Sequence, residues 1–318
     1  MKIVVLHNPT AGDREFSPGE LTALLRRAGY RPKYFSLKDA AWRENHVLDG
    51  AEFVVVAGGD GAVRRAVLHL HDRGLPLALL PLGTANNICA SLGIKGPPKT
   101  IIARWTHPRR RKIDLGVASG PWGEKFFVES AGAGLIGRAI DIMSTVGDVT
   151  DHRLDRREDR LHRDSSVVLA LAHELQPLSL RASYDGGTSF KSNYLLFEAM
   201  NIKRIGPGLE LAPHADASDG FFDVISATVD EREKLKRALA HGLDRENPRA
   251  FLTRRKVRAL HLEVSCGEFR LDDQVIWPRP TNGRRAAKQP LVVDLSVRAS
   301  AVEIYDAPAL SGSTQRNR

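Results

Sequence analysis

The sequence of 318 residues contains little cysteine and no long apolar run. Its two cysteines, Cys89 and Cys266, lack the paired spacing of a metal site. This scarcity argues against a disulfide framework or a zinc site, and it fits a reducing compartment. No apolar run approaches the roughly 18 residues that span a bilayer, which argues against a transmembrane helix. We therefore expect a soluble, cytoplasmic protein.

Acidic residues are fewer than basic residues. The chain has 38 Asp and Glu and 47 Lys and Arg, which gives a net charge of +9. Such a charge favours an anionic partner, either nucleic acid, an anionic membrane surface or a phosphorylated small molecule. The densest basic run, residues 109–112, follows Arg104 and His107, and short runs of this kind are usually solvated surface. Aromatic residues are few and do not interleave with this run, so we expect no nucleic acid.

The first third of the chain alternates strand and helix signals. Residues 2–7 form an Ile/Val/Leu-rich run that predicts a strand buried on both faces. A capping box that begins at Ser17 predicts a helix after it. Strands are also predicted at residues 52–57 and 77–80, with a helix between them that ends near Gly74. Strands separated by helices predict a parallel sheet with helices on both faces.

From about residue 120 the pattern becomes mostly β. Residues 291–298 alternate apolar and polar side chains, as in a half-buried strand. Further strands are predicted at residues 178–184, 221–229 and 257–264, and a helix near residues 231–241. This half therefore predicts a sandwich. The charged stretch 147–164 predicts an exposed or mobile insert, and the tail 311–318 is predicted to be disordered.

A glycine turn follows the strand at residues 52–57. It consists of Gly58, Gly59, Asp60 and Gly61 and opens the next helix. Glycines allow the backbone to approach a phosphate closely, and the helix N-terminus attracts negative charge. Asp60 is placed to orient Mg²⁺ or a hydroxyl. By itself, the turn is explained equally well by packing.

Two more polar loops follow neighbouring strands. The loop after residues 77–80 offers a hydroxyl and amide groups, and it contains Gly83, Thr84, Asn86 and Asn87. The loop after the first strand contains Asn8, Thr10 and Gly12. Because open α/β sheets bind ligands at the carboxyl ends of their strands, the three loops are predicted to converge on one ligand site.

Together these motifs resemble the catalytic domain of diacylglycerol kinases, which bacterial lipid kinases and sphingosine kinases share. The resemblance continues through residues 113–116, 206–209 and 212–215 to residues 218–224, and it covers nearly the whole chain in order. NAD kinases and phosphofructokinases also carry the glycine turn. The Pro-Leu-Gly-Thr loop and the segment with Asp219 favour the lipid kinase branch.

The resemblance implies an N-terminal α/β nucleotide-binding domain with a parallel sheet at residues 1–118, which residues 303–310 rejoin. It also implies a mainly β C-terminal sandwich domain at residues 119–302 that binds the lipid. The active site is expected in the cleft between the two domains.

The resemblance further implies ATP and Mg²⁺ as cofactors. The residues that contact or lie near the ATP phosphates would be Asn8, Thr10, Gly58, Gly59, Gly61, Gly83, Thr84 and Asn86. Asp60, Asn87 and Asp114 would organise the catalytic Mg²⁺. Asp219 would bind a structural metal with backbone carbonyls near Asp216 and Phe221, although its sequence also fits an ordinary turn.

Two positions depart from the family pattern. Asn87 replaces an aspartate, so the affinity for Mg²⁺ should fall. Gln274 replaces the glutamate proposed to deprotonate the lipid hydroxyl, and an amide cannot accept that proton at neutral pH. Gln274 marks the position of the base, and Asp272, Asp273 and Asp60 are candidates to replace it.

Three hypotheses follow. The favoured one is an ATP- and Mg²⁺-dependent lipid kinase that phosphorylates a hydroxyl of diacylglycerol or a sphingoid base at an anionic membrane surface. The second is a catalytically weak or inactive nucleotide- or lipid-binding relative, and the third is a kinase of a soluble substrate. A homodimer is left open.

Overall fold

The computed structural model describes residues 1–13, 16–106, 109–150, 156–243, 252–265, 268–276 and 290–306. Cys266, His107 and the tail predicted to be disordered, residues 311–318, lie outside these ranges. Within them, no helix is long and apolar enough to cross a membrane.

The N-terminal part alternates strands and helices. Its elements are β1 (Lys2–His7), α1 (Pro18–Arg27), β2 (Arg31–Ser36), β3 (Phe53–Gly58), α2 (Asp60–Leu70), β4 (Leu77–Pro81), α3 (Asn87–Ser91), α4 (Pro98–Arg104) and β5 (Arg109–Gly120), with 3₁₀ turns at Ala41–Arg43 and Asn45–Leu48. Strands β1 to β4 pair in parallel in the order β4-β3-β1-β2, which confirms the predicted parallel sheet. Because β3 is buried at every residue, it needs cover on both faces.

Helix α1 begins with the predicted capping box. The Ser17 hydroxyl accepts the Glu20 N–H at 3.3 Å, and the Glu20 carboxylate accepts the Ser17 N–H at 2.8 Å. The helix buries Leu21 and Leu25 against the sheet. Helix α2 likewise buries one apolar face, and it ends at Leu70, short of the predicted end.

The C-terminal part is mostly antiparallel. Its elements are β6 (Gly123–Phe127), β7 (Ser130–Gly134), α5 (Leu135–Thr150), α6 (Arg157–Glu174), β8 (Leu178–Tyr184), β9 (Phe190–Met200), β10 (Arg204–Ile205), β11 (Leu209–Glu210), β12 (Phe222–Thr228), a 3₁₀ turn at Val229–Glu231, α7 (Arg232–Leu243), β13 (Thr253–Val257), β14 (Ala259–Val264), β15 (Phe269–Leu271), β16 (Gln274–Val275) and β17 (Leu291–Asp306). The predicted alternation in β17 is confirmed, because Leu291 and Val293 are buried while Val292 and Asp294 are exposed.

Strand β17 joins the two parts. It pairs with β14 near its start, with β5 along its length, and with β4 through Ile304 and Leu77. The Tyr305 and Phe53 rings lie 4.8 Å apart, so the end of β17 shares the core of β3. The domain limits at residues 118 and 302 stay a prediction.

Two local predictions are confirmed only in part. The described part of the charged stretch at residues 147–164 is helical, because it includes the end of α5 and the start of α6. Its arginines contact backbone carbonyls, so its lack of apolar residues does not leave it unstructured. The strand predicted at residues 257–264 is broken at Arg258, because the Asp185 carboxylate accepts the N–H groups of Arg258 and Ala259 at 2.8 and 2.9 Å.

Candidate active site

The three polar loops meet at the carboxyl ends of β1, β3 and β4. The Asn8 N–H donates to the Ala57 carbonyl at 2.9 Å, and the Leu82 N–H donates to the Gly58 carbonyl at 3.0 Å. The parallel register of these strands therefore brings their ends together, as predicted.

The glycines of these loops serve different purposes. A Cβ on Gly83 would lie 2.1 Å from the Gly59 Cα, and a Cβ on Gly58 would lie 2.6 Å from the Ala62 Cβ. Packing between the loops explains these three glycines. At Gly61 a Cβ would meet only an Asp273 carboxylate oxygen, at 3.7 Å. Gly61 therefore lies in van der Waals range of Asp273, and a small side chain would fit there.

Asp60 is the first residue of α2, and no side chain caps this helix. An Asp60 carboxylate oxygen accepts the Ile88 N–H at 2.9 Å, and the N–H groups of Asn86 and Asn87 also bond to the carboxylate. Burial raises the pKa of Asp60, and these backbone bonds lower it without cancelling the rise. The start of α3 thus fixes a carboxylate beside the N-terminus of α2, where the Ala62 and Val63 N–H groups donate to the Gly59 carbonyl at 2.9 and 3.1 Å.

Asn86 shapes the loop after β4. Its backbone is left-handed, with φ of 55°, a conformation that asparagine tolerates better than most residues. Its side chain bonds to both the N–H and the carbonyl of Gly83 at 2.9 Å. These bonds occupy the amide, so Asn86 holds the loop in shape.

Asn87 leaves an acceptor without a partner. Its Nδ2 donates to the Gly206 carbonyl at 2.8 Å, while its buried Oδ1 has no hydrogen-bond partner. A buried acceptor that lacks a partner is costly and suggests a missing donor or cation. The structure thus places Asn87 beside Asp60 with one oxygen available.

The remaining predicted phosphate contacts lie at the same edge. The Asn8 Oδ1 accepts the Thr10 N–H at 3.3 Å and the Thr10 hydroxyl at 3.1 Å, so this loop is ordered by its own side chains. The Thr84 carbonyl accepts a bond from Arg157 at the start of α6. In the neighbouring loop, the Gly12 carbonyl accepts a hydrogen bond from the Arg160 guanidinium at 2.8 Å. These two arginines are absent from the sequence prediction.

Asp114 bonds to the segment that carries Asp219. One of its oxygens accepts the Gly220 N–H at 2.7 Å, and the other accepts the Ser300 N–H at 2.7 Å. Asp114 is buried, and both oxygens are engaged by backbone. This arrangement does not fit the predicted role of Asp114 at the catalytic Mg²⁺. The contacts instead assign it to holding the loop before β12.

Asp219 contacts a lysine where a structural metal was predicted. Its Oδ2 lies 2.6 Å from the Lys256 Nζ, and its Oδ1 accepts the Phe221 N–H at 3.0 Å. Asp216 pairs with Arg111 at 2.9 Å, and its hydrogen bonds and Arg111 outweigh burial and hold its pKa below the usual range. The residues here do not fit a metal, because a protein cation already compensates each carboxylate.

The three residues around the predicted base position face different surroundings. Asp272 is buried, and one oxygen accepts the N–H groups of Val128, Glu129 and Ser130, with the Glu129 bond at 2.7 Å. Burial raises the pKa of Asp272 to about 6, although these bonds lower it. The other oxygen shares only the Val128 N–H, at 3.1 Å, so a role of Asp272 as a base stays a prediction.

Asp273 and Gln274 lie at the surface of the cleft. Asp273 pairs with Arg64 of α2 at 2.9 Å, and its side chain is 58% exposed. Gln274 is exposed at the start of β16. Asp273 is therefore the member of this turn that lies closest to Gly61.

Glu129, between β6 and β7, is a site residue that the sequence prediction missed. It is 6% exposed, and it interacts electrostatically with Asp60, Asp272 and Asp273. A carboxyl inside the apolar run of residues 126–131 is the signal that could have identified it.

Two family matches follow the chain in order. Residues 2–118 match the diacylglycerol kinase catalytic domain, and residues 143–304 match the YegS C-terminal NAD kinase beta sandwich-like domain. A diacylglycerol kinase of Mycobacterium tuberculosis is 32% identical over 74% of this chain and 74% of its own length. The chain belongs to the diacylglycerol kinase family. Its C-terminal part is accordingly a β-sandwich domain, as predicted.

Another relative of this diacylglycerol kinase family member and two solved structures with a similar fold are also named as kinases. A protein named probable lipid kinase YegS-like, of Shewanella frigidimarina, is 29% identical over 56% of this chain and 55% of its own. A diacylglycerol kinase structure from Bacillus anthracis superposes with a TM-score of 0.67 at 16% identity, covering 96% of this chain and 97% of that chain. An NAD kinase of Archaeoglobus fulgidus in complex with ATP gives a TM-score of 0.52 at 12% identity, covering 97% and 94%. These structures show a shared fold.

The diacylglycerol kinase family implies a divalent cation near Asp60. Among the described residues, no three His, Cys, Asp or Glu side chains are grouped so as to hold a metal ion by themselves. Mg²⁺ in kinases is usually held by one or two carboxylates, several waters and the substrate phosphates. The Asp60 carboxylate and the unpaired Asn87 Oδ1 fit that description, whereas Asp114 and Asp219 do not.

Proposed function

We propose that this member of the diacylglycerol kinase family is an ATP- and Mg²⁺-dependent kinase that phosphorylates a hydroxyl of a lipid such as diacylglycerol or a sphingoid base. The observation that carries the proposal is the position of Asp60. Its carboxylate lies at the start of α2, which no side chain caps and where three strand ends meet. An uncapped helix start binds phosphate, and a carboxylate beside it suits the accompanying cation.

Different residues of the proposed site have different roles. The phosphates of ATP would bind at the N-terminal end of α2, next to the glycine turn. Asp60 and the Asn87 Oδ1 would hold Mg²⁺ or its waters, and the ion would supply positive charge to the transferred phosphoryl group. Asn86 keeps the Gly83 loop in position through its two bonds.

A small cavity beside Gln274 is the place that we propose for a lipid acceptor. It has a volume of about 150 Å³ and lies between α2, β6 and the β15–β16 turn. Leu68, Phe126, Leu271 and Ile276 line it together with Arg64, Lys125, Asp272 and Gln274. A lipid hydroxyl that enters between these side chains would approach the glycine turn past Asp273. The positive net charge favours association with the anionic membrane surface that carries such a lipid.

A radiolabel assay tests the proposal. Labelled ATP is offered with diacylglycerol, sphingosine and ceramide in mixed micelles, and with water-soluble alcohols as a separate panel. We expect a labelled lipid that depends on Mg²⁺, and a loss of at least about 10²-fold in Asp60→Asn. Asp39→Asn, a change at an exposed aspartate, is the matched control. Label only in a soluble product would overturn the lipid assignment.

The alternative is a catalytically weak nucleotide- or lipid-binding relative. Asn87 and Gln274 favour it, because both replace a carboxylate of the family pattern. Tight ATP binding without product across both panels would establish this alternative and exclude the kinase.

A further inference from the structure

Another cavity lies at the amino ends of the first two strands, away from the candidate active site. It has a volume of about 470 Å³ and is formed by the starts of β1 and β2, the last turn of α1 and the segment before β3. The glycine turn and its neighbouring loops follow the carboxyl ends of the same parallel sheet. Because β1 spans six residues, roughly 16 Å separate its two ends. The cavity is therefore distinct from the site proposed for ATP.

The position of β2 explains why a cavity forms here. Strand β2 is the edge of the parallel sheet, and none of its residues is buried. The connection from β2 to β3, residues 37–52, is described throughout and contains two short 3₁₀ turns but no α-helix. Val47, Asp49 and Ala51 of this connection line one side of the cavity. The volume that remains lies within the range of small-molecule sites.

Four cations line this cavity from three elements, namely Lys2 of β1, Arg26 of α1, and Arg31 and Lys33 of β2. Within the described ranges, no carboxylate forms an ion pair with any of them, and Lys33 lies over the Phe35 ring at 5.3 Å. Among the described residues that line the cavity, Asp49 is the one acidic side chain. The cavity therefore has an excess of positive charge that the described part of the chain does not neutralise.

Two of these cations lie directly opposite each other. In the parallel register of β1 and β2, Lys2 is the partner of Arg31 and Val4 is the partner of Lys33. Since paired and alternate residues share a face of a sheet, Lys2, Arg31 and Lys33 project from the same face. Like charges that face each other on neighbouring strands are destabilising. An anion bound between them would remove this repulsion.

The rest of the lining is largely apolar. Val4, Tyr30 and Val47 contribute to it, and Tyr30 is 6% exposed because its ring packs edge-on against Phe53 at 5.6 Å. A ligand with an apolar part would bury that part against these side chains. The guanidinium groups of arginine match the oxygens of phosphate, which carries more charge than a single carboxylate.

We propose that this cavity binds a ligand in which a phosphate group is joined to a small apolar part. Arg26 and Arg31 bind the phosphate oxygens from two different elements, and Lys2 and Lys33 add positive charge. A lipid headgroup and a soluble phosphate ester both have this chemistry. The inference goes beyond the kinase activity proposed above and does not depend on it, because it concerns binding at the opposite end of the sheet.

Two probes distinguish the two sources of the ligand. Isothermal titration with phenyl phosphate tests a soluble ester. Co-sedimentation with vesicles of phosphatidylglycerol and phosphatidylcholine tests a lipid headgroup, with vesicles of phosphatidylcholine alone as the uncharged control. We expect the wild-type chain to bind at least one probe. Binding of phenyl phosphate assigns the cavity to a soluble ester, and binding of the anionic vesicles alone assigns it to a headgroup.

Substitutions on two elements locate the binding. Arg26→Gln and Arg31→Gln should each weaken it by about tenfold, because each removes a charge-assisted bond to phosphate. Arg27→Gln is the matched control for the first, since Arg27 is the exposed neighbour of Arg26 on α1 and lies outside the cavity lining. Lys38→Gln, at an exposed lysine after β2, is the second control. Both controls should bind as the wild-type chain does.

Two outcomes would overturn the proposal. The first is a wild-type chain that binds neither phenyl phosphate nor the anionic vesicles. The second is an equal loss of binding in Arg26→Gln and Arg27→Gln, which would show that net charge alone attracts the probe. Lys33→Gln, at a further exposed residue of the lining, replaces either cavity variant if that variant fails to fold. Because binding is measured directly, a chain that makes no kinase product still gives a result in this test.

Discussion

At the residue scale, Asn87 combines a bond that an aspartate cannot make with an oxygen that has no partner. Its Nδ2 donates to the Gly206 carbonyl at 2.8 Å, and its Oδ1 is buried and unpaired. An aspartate would bring a second acceptor toward the Gly206 carbonyl, and its charge would be offset only by a cation. The asparagine therefore lets the loops close without Mg²⁺, at the expense of a weaker ion site.

We predict that Asn87→Asp lowers the free energy of unfolding by about 1–3 kcal/mol when Mg²⁺ is absent, because a buried acceptor then faces a carbonyl. It should also lower the Mg²⁺ concentration needed for half-maximal activity. Urea unfolding with and without Mg²⁺ and a Mg²⁺ titration of the kinase assay measure both effects. Asn193→Asp, at an exposed asparagine of β9, is the control. An unchanged Mg²⁺ requirement would contradict the placement of Asn87 beside the ion.

Lys256 gives a second prediction at this scale, because its ammonium lies 2.6 Å from Asp219, where the family carries a metal. The thermal midpoint of the nucleotide-free wild-type chain should not change with EDTA or Mg²⁺. Lys256→Met should lower the free energy of unfolding by about 1 kcal/mol or less, since the pair is partly exposed. Added Mg²⁺ should then stabilise the variant, because the Asp219 carboxylate has lost its cation.

Lys236→Met controls for this change, since Lys236 forms a comparable ion pair with Glu233 at 2.9 Å on α7. It should show no response to Mg²⁺. A wild-type midpoint that falls with EDTA would show that the loop binds a metal despite Lys256.

At the element scale, local signals explain which predictions succeeded. The capping box at Ser17 and the parallel order of β1 to β4 depend on nearby residues or on a strand–helix alternation that a single sequence displays. The start of α6 was missed because its polar residues contact loops far away in the sequence. The same reason hides Glu129, whose neighbours Asp60 and Asp272 come from distant elements.

The roles of Asp114 and Asp219 could not be predicted for a related reason. A sequence motif identifies a carboxylate, but it does not show which donor or cation the carboxylate contacts. Here Asp114 is taken by the N–H groups of Gly220 and Ser300, and Asp219 is taken by Lys256. Only the folded chain brings those partners together.

Helix α6 links the sandwich domain to the phosphate edge through Arg157, whose guanidinium donates to the Thr84 carbonyl and whose N–H donates to Asp13 at 2.8 Å. We predict that Arg157→Ala raises the Kd for ATP about 5- to 30-fold, because the loop loses a charge-assisted bond of roughly 1–2 kcal/mol. Isothermal titration with a non-hydrolysable ATP analogue measures it. Arg156→Ala, at the exposed residue just before α6, should leave the Kd unchanged. Equal effects of the two substitutions on the Kd would show that the loss of positive charge, and not the loss of the bond to Thr84, weakens ATP binding.

At the scale of the whole molecule, the site carboxyls are held in a fold that opposes their ionisation. Strands β5 and β17 run through both parts of the molecule in one continuous sheet, and Asp60 in one part and Glu129, Glu198 and Asp272 in the other lie in strands of that sheet or within two residues of a strand end. Burial raises the pKa of Asp272 to about 6 and that of Glu198 to about 7, and it raises the pKa of Glu129 as well. Ionising these groups at neutral pH therefore costs stability.

The sign of the resulting pH dependence follows from linkage. A carboxyl whose pKa is higher in the folded than in the unfolded chain favours folding when protonated, and this stabilisation is lost as pH rises through the folded pKa. The free energy of unfolding contributed by Asp272 and Glu198 should thus fall as the pH rises from about 4 to about 7. Glu129→Gln removes one such group while keeping its shape. The variant should be more stable than wild type at pH 8, and the difference should shrink as the pH is lowered.

Urea unfolding at pH 5, 6, 7 and 8 measures this difference without any substrate, with Glu124→Gln as the control that should follow the wild-type curve. A stability gain at pH 8 would show that the buried Glu129 carboxyl is kept at a cost to folding. If Glu129→Gln is less stable than wild type at every pH, the carboxyl has a structural partner.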